Sequence, residues 1–296
     1  MIADPIAALA LFFGPERTRQ GLLARQALER PGEDDVSLAA QLRGELAAGV
    51  RPDGTVGGAV LPTIWRIHEL LDLGAPAHSP AITTAVGWML ALQDRPGTFH
   101  EGCDRTRHAR QLCQHYLAGF FAPAPPAQRI APVTLPTGKV FRGEPAARFA
   151  ISCLALRAAI RAGLGERPSI RRHVQSLVRI SAQWTAWNDY FSPDTIIAGL
   201  HALAITGPDQ RGVVDRLVGV VTSNQGVEGD WAAADLFQVL DALLAAGTLE
   251  AQVAVRRAAT ALTLRQRADG TFGSMAQQER ALIGLRALFW ASRSPA

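Results

Sequence analysis

Turn-forming glycines return at a nearly fixed interval along this chain, and that spacing limits its fold more than any other feature. Gly54 sits in Arg51-Pro-Asp-Gly-Thr-Val-Gly57, Gly97 in Gln93-Asp-Arg-Pro-Gly-Thr-Phe99 and Gly138 in Pro136-Thr-Gly-Lys-Val-Phe141. Gly229 follows in Asn224-Gln-Gly-Val-Glu-Gly-Asp-Trp231, and Gly270 in Gln266-Arg-Ala-Asp-Gly-Thr-Phe-Gly273. The intervals are 43, 41, 91 and 41 residues. The long one has room for a further unit, and Gln183-Trp-Thr-Ala-Trp-Asn-Asp-Tyr190 lies there. Six turns result, one without glycine. A self-similar period of about 40 residues is the signature of a repeat architecture.

The segments between turns are helical in pattern. Ala85, Trp88, Met89 and Leu92 lead into one turn, and Val255, Ala258, Ala259 and Leu262 into the last, at spacings of three and four. A second, more apolar helix follows each turn, over residues 59–73, 146–162, 194–205, 232–246 and 277–291. Ser37, Ser79-Pro80, Ser192-Pro193 and Gly207-Pro208 mark helix starts, while Gly74, Gly163 and Gly247 mark ends. Paired helices of this period stack as an open solenoid or close into a ring. One helix of each pair is apolar nearly all round, as an inner helix between an outer layer and a tightly lined centre has to be. The chain is therefore predicted to be all-α, a single α/α toroid over 1–296 with about six helical hairpins in inner and outer rings. Residues 1–36 form an N-terminal helical extension, and the proline-rich stretch 122–142 a crossing loop.

The segment Val86-Gly-Trp-Met-Leu-Ala-Leu-Gln-Asp-Arg-Pro-Gly-Thr-Phe99, and the segment Ala258 to Phe272, resemble the QW repeat of squalene and oxidosqualene cyclases. The same repeat is found in the β-subunits of protein prenyltransferases. The resemblance spans about Ser37 to Ala291 and implies the toroid fold of that superfamily, with a hydrophobic, isoprenoid-like small molecule in the central cavity. It departs from the pattern in places: Val56 replaces the turn aromatic in the first copy, and Gln is absent from the first and third. The Asp-x-Asp-Asp acid of class II cyclases is also missing. Asp34-Asp35 lies in a polar turn ahead of a helix, where it complements the helix dipole. Aromatic residues make up 6% of the chain, few for lining a cavity that has to stabilise carbocations.

Composition narrows the class further. The net charge of +4 is interspersed and carried by Arg, Lys139 being the sole lysine, so nucleic acid is not the expected partner. Three cysteines give no disulfide framework, which points to a reducing, cytoplasmic setting. Asp4 stands where a signal peptide would carry basic charge, and no apolar run reaches the ~20 residues of a spanning helix, which leaves at most peripheral membrane contact.

Candidate chemistry falls in two places. Residues 100–116 gather three of the seven histidines and two of the three cysteines. Cys103, Asp104 and His108 form a candidate zinc set with an open fourth position, as in a zinc-dependent transferase; the bland alternative is a free Cys packed as a small hydrophobe. His115 and Tyr116 are candidate catalytic groups on the same stretch. Arg105, Arg107 and Arg110 suit either a diphosphate or a solvated helix face. The inner helices supply the second set. Asp235, one turn after Trp231 on an apolar helix, is the preferred acid, and capping or pairing at that helix start is its structural alternative. Trp65, His68, Arg148, His201 and Arg280 are candidate substrate contacts, with Glu69, Asp241 and Glu279 on the same helices. A non-catalytic toroid that holds a ligand or partner is the competing reading. A side-chain-filled centre would favour it.

Overall fold

The computed structural model describes residues 4–92, 100–101, 117–118, 130–187 and 192–293. The described residues form twelve α-helices that alternate outer and inner. The outer helices are α1 (Pro5–Phe13), α3 (Asp35–Ala48), α5 (Pro80–Ala91), α7 (Pro168–Ser181), α9 (Arg211–Thr222) and α11 (Leu249–Arg265). The inner ones are α2 (Arg19–Ala27), α4 (Val60–Asp72), α6 (Glu144–Ala159), α8 (Pro193–Ala204), α10 (Leu236–Ala246) and α12 (Gln277–Ser292). Each inner helix packs on the next, and α12 returns to α2, so the ring is closed. β-structure among the described residues is limited to β1 (His100–Glu101) with β2 (Leu117–Ala118), and β3 (Val133–Thr134) with β4 (Val140–Phe141), each pair antiparallel.

Burial separates the two rings. Inner helix α8 buries Ile196, Ile197, Leu200 and Leu203 together with Thr195, Gly199 and His201, which covers its whole circumference. Outer helix α9 buries Val214, Leu217, Val218 and Val221, a single stripe at spacings of three, one and three. A buried Leu or Ile is worth about 1.5–3 kcal/mol, so the inner ring carries much of the folding free energy.

The repeated turns work as spacers between neighbouring hairpins. Gly229 has φ +85°, and a Cβ there would lie 2.2 Å from the Arg257 carbonyl oxygen of the following outer helix. Gly54 meets the Thr84 carbonyl of α5 in the same way, at 2.5 Å. Gly270, in the last turn, presses on the Ala8 carbonyl of α1 at 2.7 Å. The final turn thus treats the first outer helix as its next neighbour, and the outer layer closes as the inner one does. Glutamine adds a clamp at two of these turns. Gln225 Nε2 donates to Gly229 O (3.0 Å) and to Ala254 O of α11 (2.8 Å), while Gln266 Nε2 donates to Gly270 O and to Pro5 O, both at 3.0 Å. The turn aromatics lie over glycines of the inner helices: Trp184 over Gly199 and Phe272 over Gly284. In the Asp-Gly-Thr turns, Asp53 accepts from the N–H and hydroxyl of Thr55, and Asp269 does the same for Thr271. Those carboxylates tie the turn itself.

Two details differ from the sequence pattern. Gly138 joins β3 to β4 rather than an outer helix to an inner one, and its neighbours are the side chains of Met275, Ala276 and Arg280. Gly97 lies outside the described residues. The sixth hairpin is instead α1–α2, inside the N-terminal stretch, whose turn carries no QW-type signal.

Candidate active site at the centre of the ring

Two cavities meet at the middle of the toroid. The inner chamber, about 60 Å³, is walled by α4, α6, α8, α10 and α12, and among its lining residues are Cys153, Arg157, His201, Asp241 and Glu279. An open vestibule of about 560 Å³ lies beside it, bordered by Gln20, Leu61, Gln277 and Gln278. Trp65, Pro136 and Glu279 border both and form the neck between them. A further depression of about 590 Å³ runs along the outside of the ring between α3 and α5. Its ionisable lining groups are Arg43 and Arg51, so it offers neither acid nor base.

The β3–β4 hairpin covers the chamber. Its tip residue Thr137 accepts from Gln238 Nε2 at its hydroxyl (3.1 Å) and from Arg280 Nε at its carbonyl (2.8 Å). Lys139 pairs with Asp194 at 2.8 Å, and Glu144 accepts the N–H groups of Ile130 and Ala131 at 2.7–3.0 Å. The described part of the proline-rich stretch is therefore a cover seated on α6, α8, α10 and α12.

Beneath the neck lies a web of buried charge. Arg19, 6% exposed, bridges Asp72 and Glu279, and its guanidinium also stacks 5.1 Å from the Trp65 ring. Arg161 pairs with the other oxygen of Asp72 at 2.6 Å and lies 2.9 Å from His68 Nδ1. His68 Nε2 sits 3.1 Å from the Leu154 carbonyl. A carbonyl only accepts, so Nε2 carries the proton and Nδ1 accepts from Arg161, which makes the ring neutral. Burial, reinforced by Arg157 and Arg161, holds the His68 pKa well below the ordinary histidine range. His201 is kept low by the same causes, and its Nδ1 stands 3.5 Å from Asp241 Oδ2. Glu279 moves the other way. Burial raises its carboxyl above the usual range, with help from Asp241 and Asp72 and against the pull of Arg19 and Gln20.

The positions of the predicted residues divide into groups. Trp65 lies at the neck and His201 in the chamber wall. His68 is buried behind the wall in the charge web. Arg280 holds the hairpin and pairs with Asp235 at 2.8 Å, and Arg148 pairs with Glu144 at 2.6 Å. Asp235 is the N-cap of α10, accepting from Phe237 N and Gln238 N, and is not part of either cavity lining. Cys103, Asp104, His108, His115 and Tyr116 lie outside the described residues. Among the described residues no three His, Cys, Asp or Glu side chains cluster as metal ligands, and no helix is long and apolar enough to cross a membrane. Sequence reasoning missed Arg157; its signal is a charge inside the apolar run Ile151 to Ile160 of an inner helix.

Known structures share this architecture. The type II terpene cyclase MstE from Scytonema, bound to its substrate geranylgeranyl dihydroxybenzoate, superposes with a TM-score of 0.58 over 98% of this chain and 97% of that one, at 13% identity. A protein from Actinoplanes gives 0.58 at 15% identity over 92% and 89% of the two chains. The ent-copalyl diphosphate synthase from Streptomyces platensis gives 0.52 at 16% identity, over 96% of this chain and 51% of that one. The chain has the α/α-toroid fold of the terpenoid cyclases. No family profile and no curated protein sequence matches it.

Proposed function

We propose that this protein is a terpene cyclase-like enzyme that acts on an isoprenoid small molecule bound at the centre of the ring, with Glu279 as the proton donor. The carrying observation is the position of Glu279: a buried carboxyl with a raised pKa, at the neck between an open vestibule and the inner chamber. A carboxyl whose pKa is raised by burial gives up its proton at a higher pH than an ordinary one, which suits it to proton transfer to a substrate double bond. Protonation at one alkene carbon leaves a cation at the other, and Trp65 is the aromatic face at that point. Loss of a neighbouring proton to the His201–Asp241 pair completes an isomerisation or a single ring closure, with no redox change. The fold shared with MstE, which binds a geranylgeranyl compound, supports the substrate class.

One observation favours a second reading. The chamber of about 60 Å³ is well below the ~300–1,000 Å³ of ordinary ligand sites, and the seated hairpin forms part of its wall. A protein that holds a ligand in the vestibule without reacting would look the same. Incubation with C15 and C20 prenyl substrates, followed by gas chromatography of extracted products, separates the two. The enzyme reading predicts a new product from wild type, reduced about 10²–10⁴-fold in Glu279→Gln with binding retained. Binding without product from any substrate supports the holder, and full activity of Glu279→Gln removes Glu279 from the chemistry.

A further inference from the structure

We infer that the vestibule selects an isoprenoid whose head group is uncharged and carries hydroxyls, as in a prenylated diphenol, held at the rim while the hydrocarbon chain runs inward to the neck. The inference rests on the reading of the ring centre as an isoprenoid site, and adds the chemistry of the head group and the direction of binding.

Charge is the first argument. Among the described residues that line the vestibule, Glu279 is the one ionisable side chain, and it is already paired with Arg19. Arg280, next to it in sequence, is held by Asp235 and by the Thr137 carbonyl. A diphosphate entering here meets no free cation, and an ammonium meets no free carboxylate. Either ion would exchange water for neutral partners, a desolvation cost with no counter-charge to offset it.

Hydrogen-bond accounting is the second. Gln20, Gln277 and Gln278 border the vestibule, and each is tied through its amide nitrogen. Gln20 Nε2 donates to Glu279 Oε2 (3.1 Å), Gln278 Nε2 to Glu16 Oε2 (2.6 Å) and Gln277 Nε2 to Thr271 Oγ1 (3.1 Å). These partners fix which end of each amide is nitrogen. Glu279 Oε2 also accepts from Arg19, the Glu16 carboxylate only accepts, and the Thr271 hydroxyl is itself donated to Asp269. Gln277 Nε2 reaches Asp269 Oδ2 as well, at 3.4 Å, which uses both of its N–H groups.

The glutamine oxygens are what the rim has left over. None of the three accepts from a protein donor among the described residues, and each has two lone pairs, against one spare N–H on Gln20 and one on Gln278. A rim with more acceptors than donors matches a ligand that brings donors, and hydroxyls bring them without charge. Leu61, Pro62 and Trp65 border the same vestibule and give the hydrocarbon chain an apolar path from the rim to the neck.

The test is direct binding, with and without Mg²⁺, of four compounds that share one C15 prenyl chain: the hydroquinone, its dimethyl ether, the diphosphate and the amine. Wild type is expected to bind the hydroquinone about tenfold or more tightly than each of the others. Gln278→Met removes one acceptor from the rim, and should weaken hydroquinone binding about threefold or more while leaving the ether unchanged. Equal affinity for hydroquinone and ether, or tightest binding of the diphosphate or the amine, overturns the hydroxyl-reading rim while leaving the isoprenoid site standing. Unchanged hydroquinone affinity in Gln278→Met does the same. Failure of all four to bind overturns both. Should Gln278→Met not fold, the wild-type series alone decides.

Discussion

Closure of the ring through its outer layer makes a prediction that separates it from ordinary helix packing. Gly270 has φ +83° and sits against α1, where a Cβ would lie 2.7 Å from the Ala8 carbonyl oxygen and 2.9 Å from its carbon. In Gly270→Ala the left-handed backbone costs about 1–2 kcal/mol, and displacing a main-chain neighbour costs about 1–3 kcal/mol more. Gly247 is the matched control. It has φ +60° as the left-handed cap of α10, with no atom within 4 Å of its would-be Cβ, so Gly247→Ala bears the backbone cost alone. Calorimetric melting should place Gly270→Ala about 2–12 °C below Gly247→Ala, at roughly 2–4 °C per kcal/mol for a chain of this size. Limited proteolysis should find the added cleavage in residues 4–18. Equal melting temperatures for the two variants would refute the claim that the last turn spaces the first helix.

Other outcomes follow from the charge web and the cover. His68, His173 and His201 are all held neutral by burial, His173 at about 4. The unfolded chain takes up these protons first as pH falls below about 6.5. Stability should therefore drop from pH 7.5 to 5, by on the order of 2 kcal/mol per histidine at pH 5, read as urea midpoints. Glu279, with its raised pKa, opposes this by the effect of one group, and a flat profile would contradict the neutral assignments. Arg19→Met leaves Glu279 without its cation and Asp72 with Arg161 alone, and should cost about 3–5 kcal/mol; a neutral result would show that the web contributes nothing. Cys153, buried in the chamber wall with its thiol pKa pushed up, should resist alkylation until the cover is loosened. Thr137→Gly with Lys139→Ala should speed its labelling by peptide mapping, and an unchanged rate would mean that the hairpin does not guard the chamber.

The fold was largely legible because its signals are local. The period of Gly54, Gly229 and Gly270 reports a spacing that only glycine satisfies at those contacts, and the apolar inner helices report burial on all sides. Closure through α1 and α2 was not legible. The contact of Gly270 with Ala8 joins the two ends of the chain, and nothing in either segment alone announces it. The site shows the same limit. His201, Asp241 and Glu279 were readable as polar residues on inner helices. Which of them face the centre depends on helix rotation, which the sequence leaves open. Asp235 shares its helix with Asp241 yet caps the first turn, because its own side chain reaches the free N–H groups there. Arg157 escaped notice because a single arginine in this arginine-rich chain looks like surface charge until the run around it is seen to be buried.

The most direct test of the account is a crystal structure of the protein soaked with a C15 prenyl alcohol. The ligand is predicted to run through the vestibule to the neck at Trp65 and Glu279. A ligand found in the depression between α3 and α5, or no ligand at the centre of the ring at saturating concentration, would contradict it.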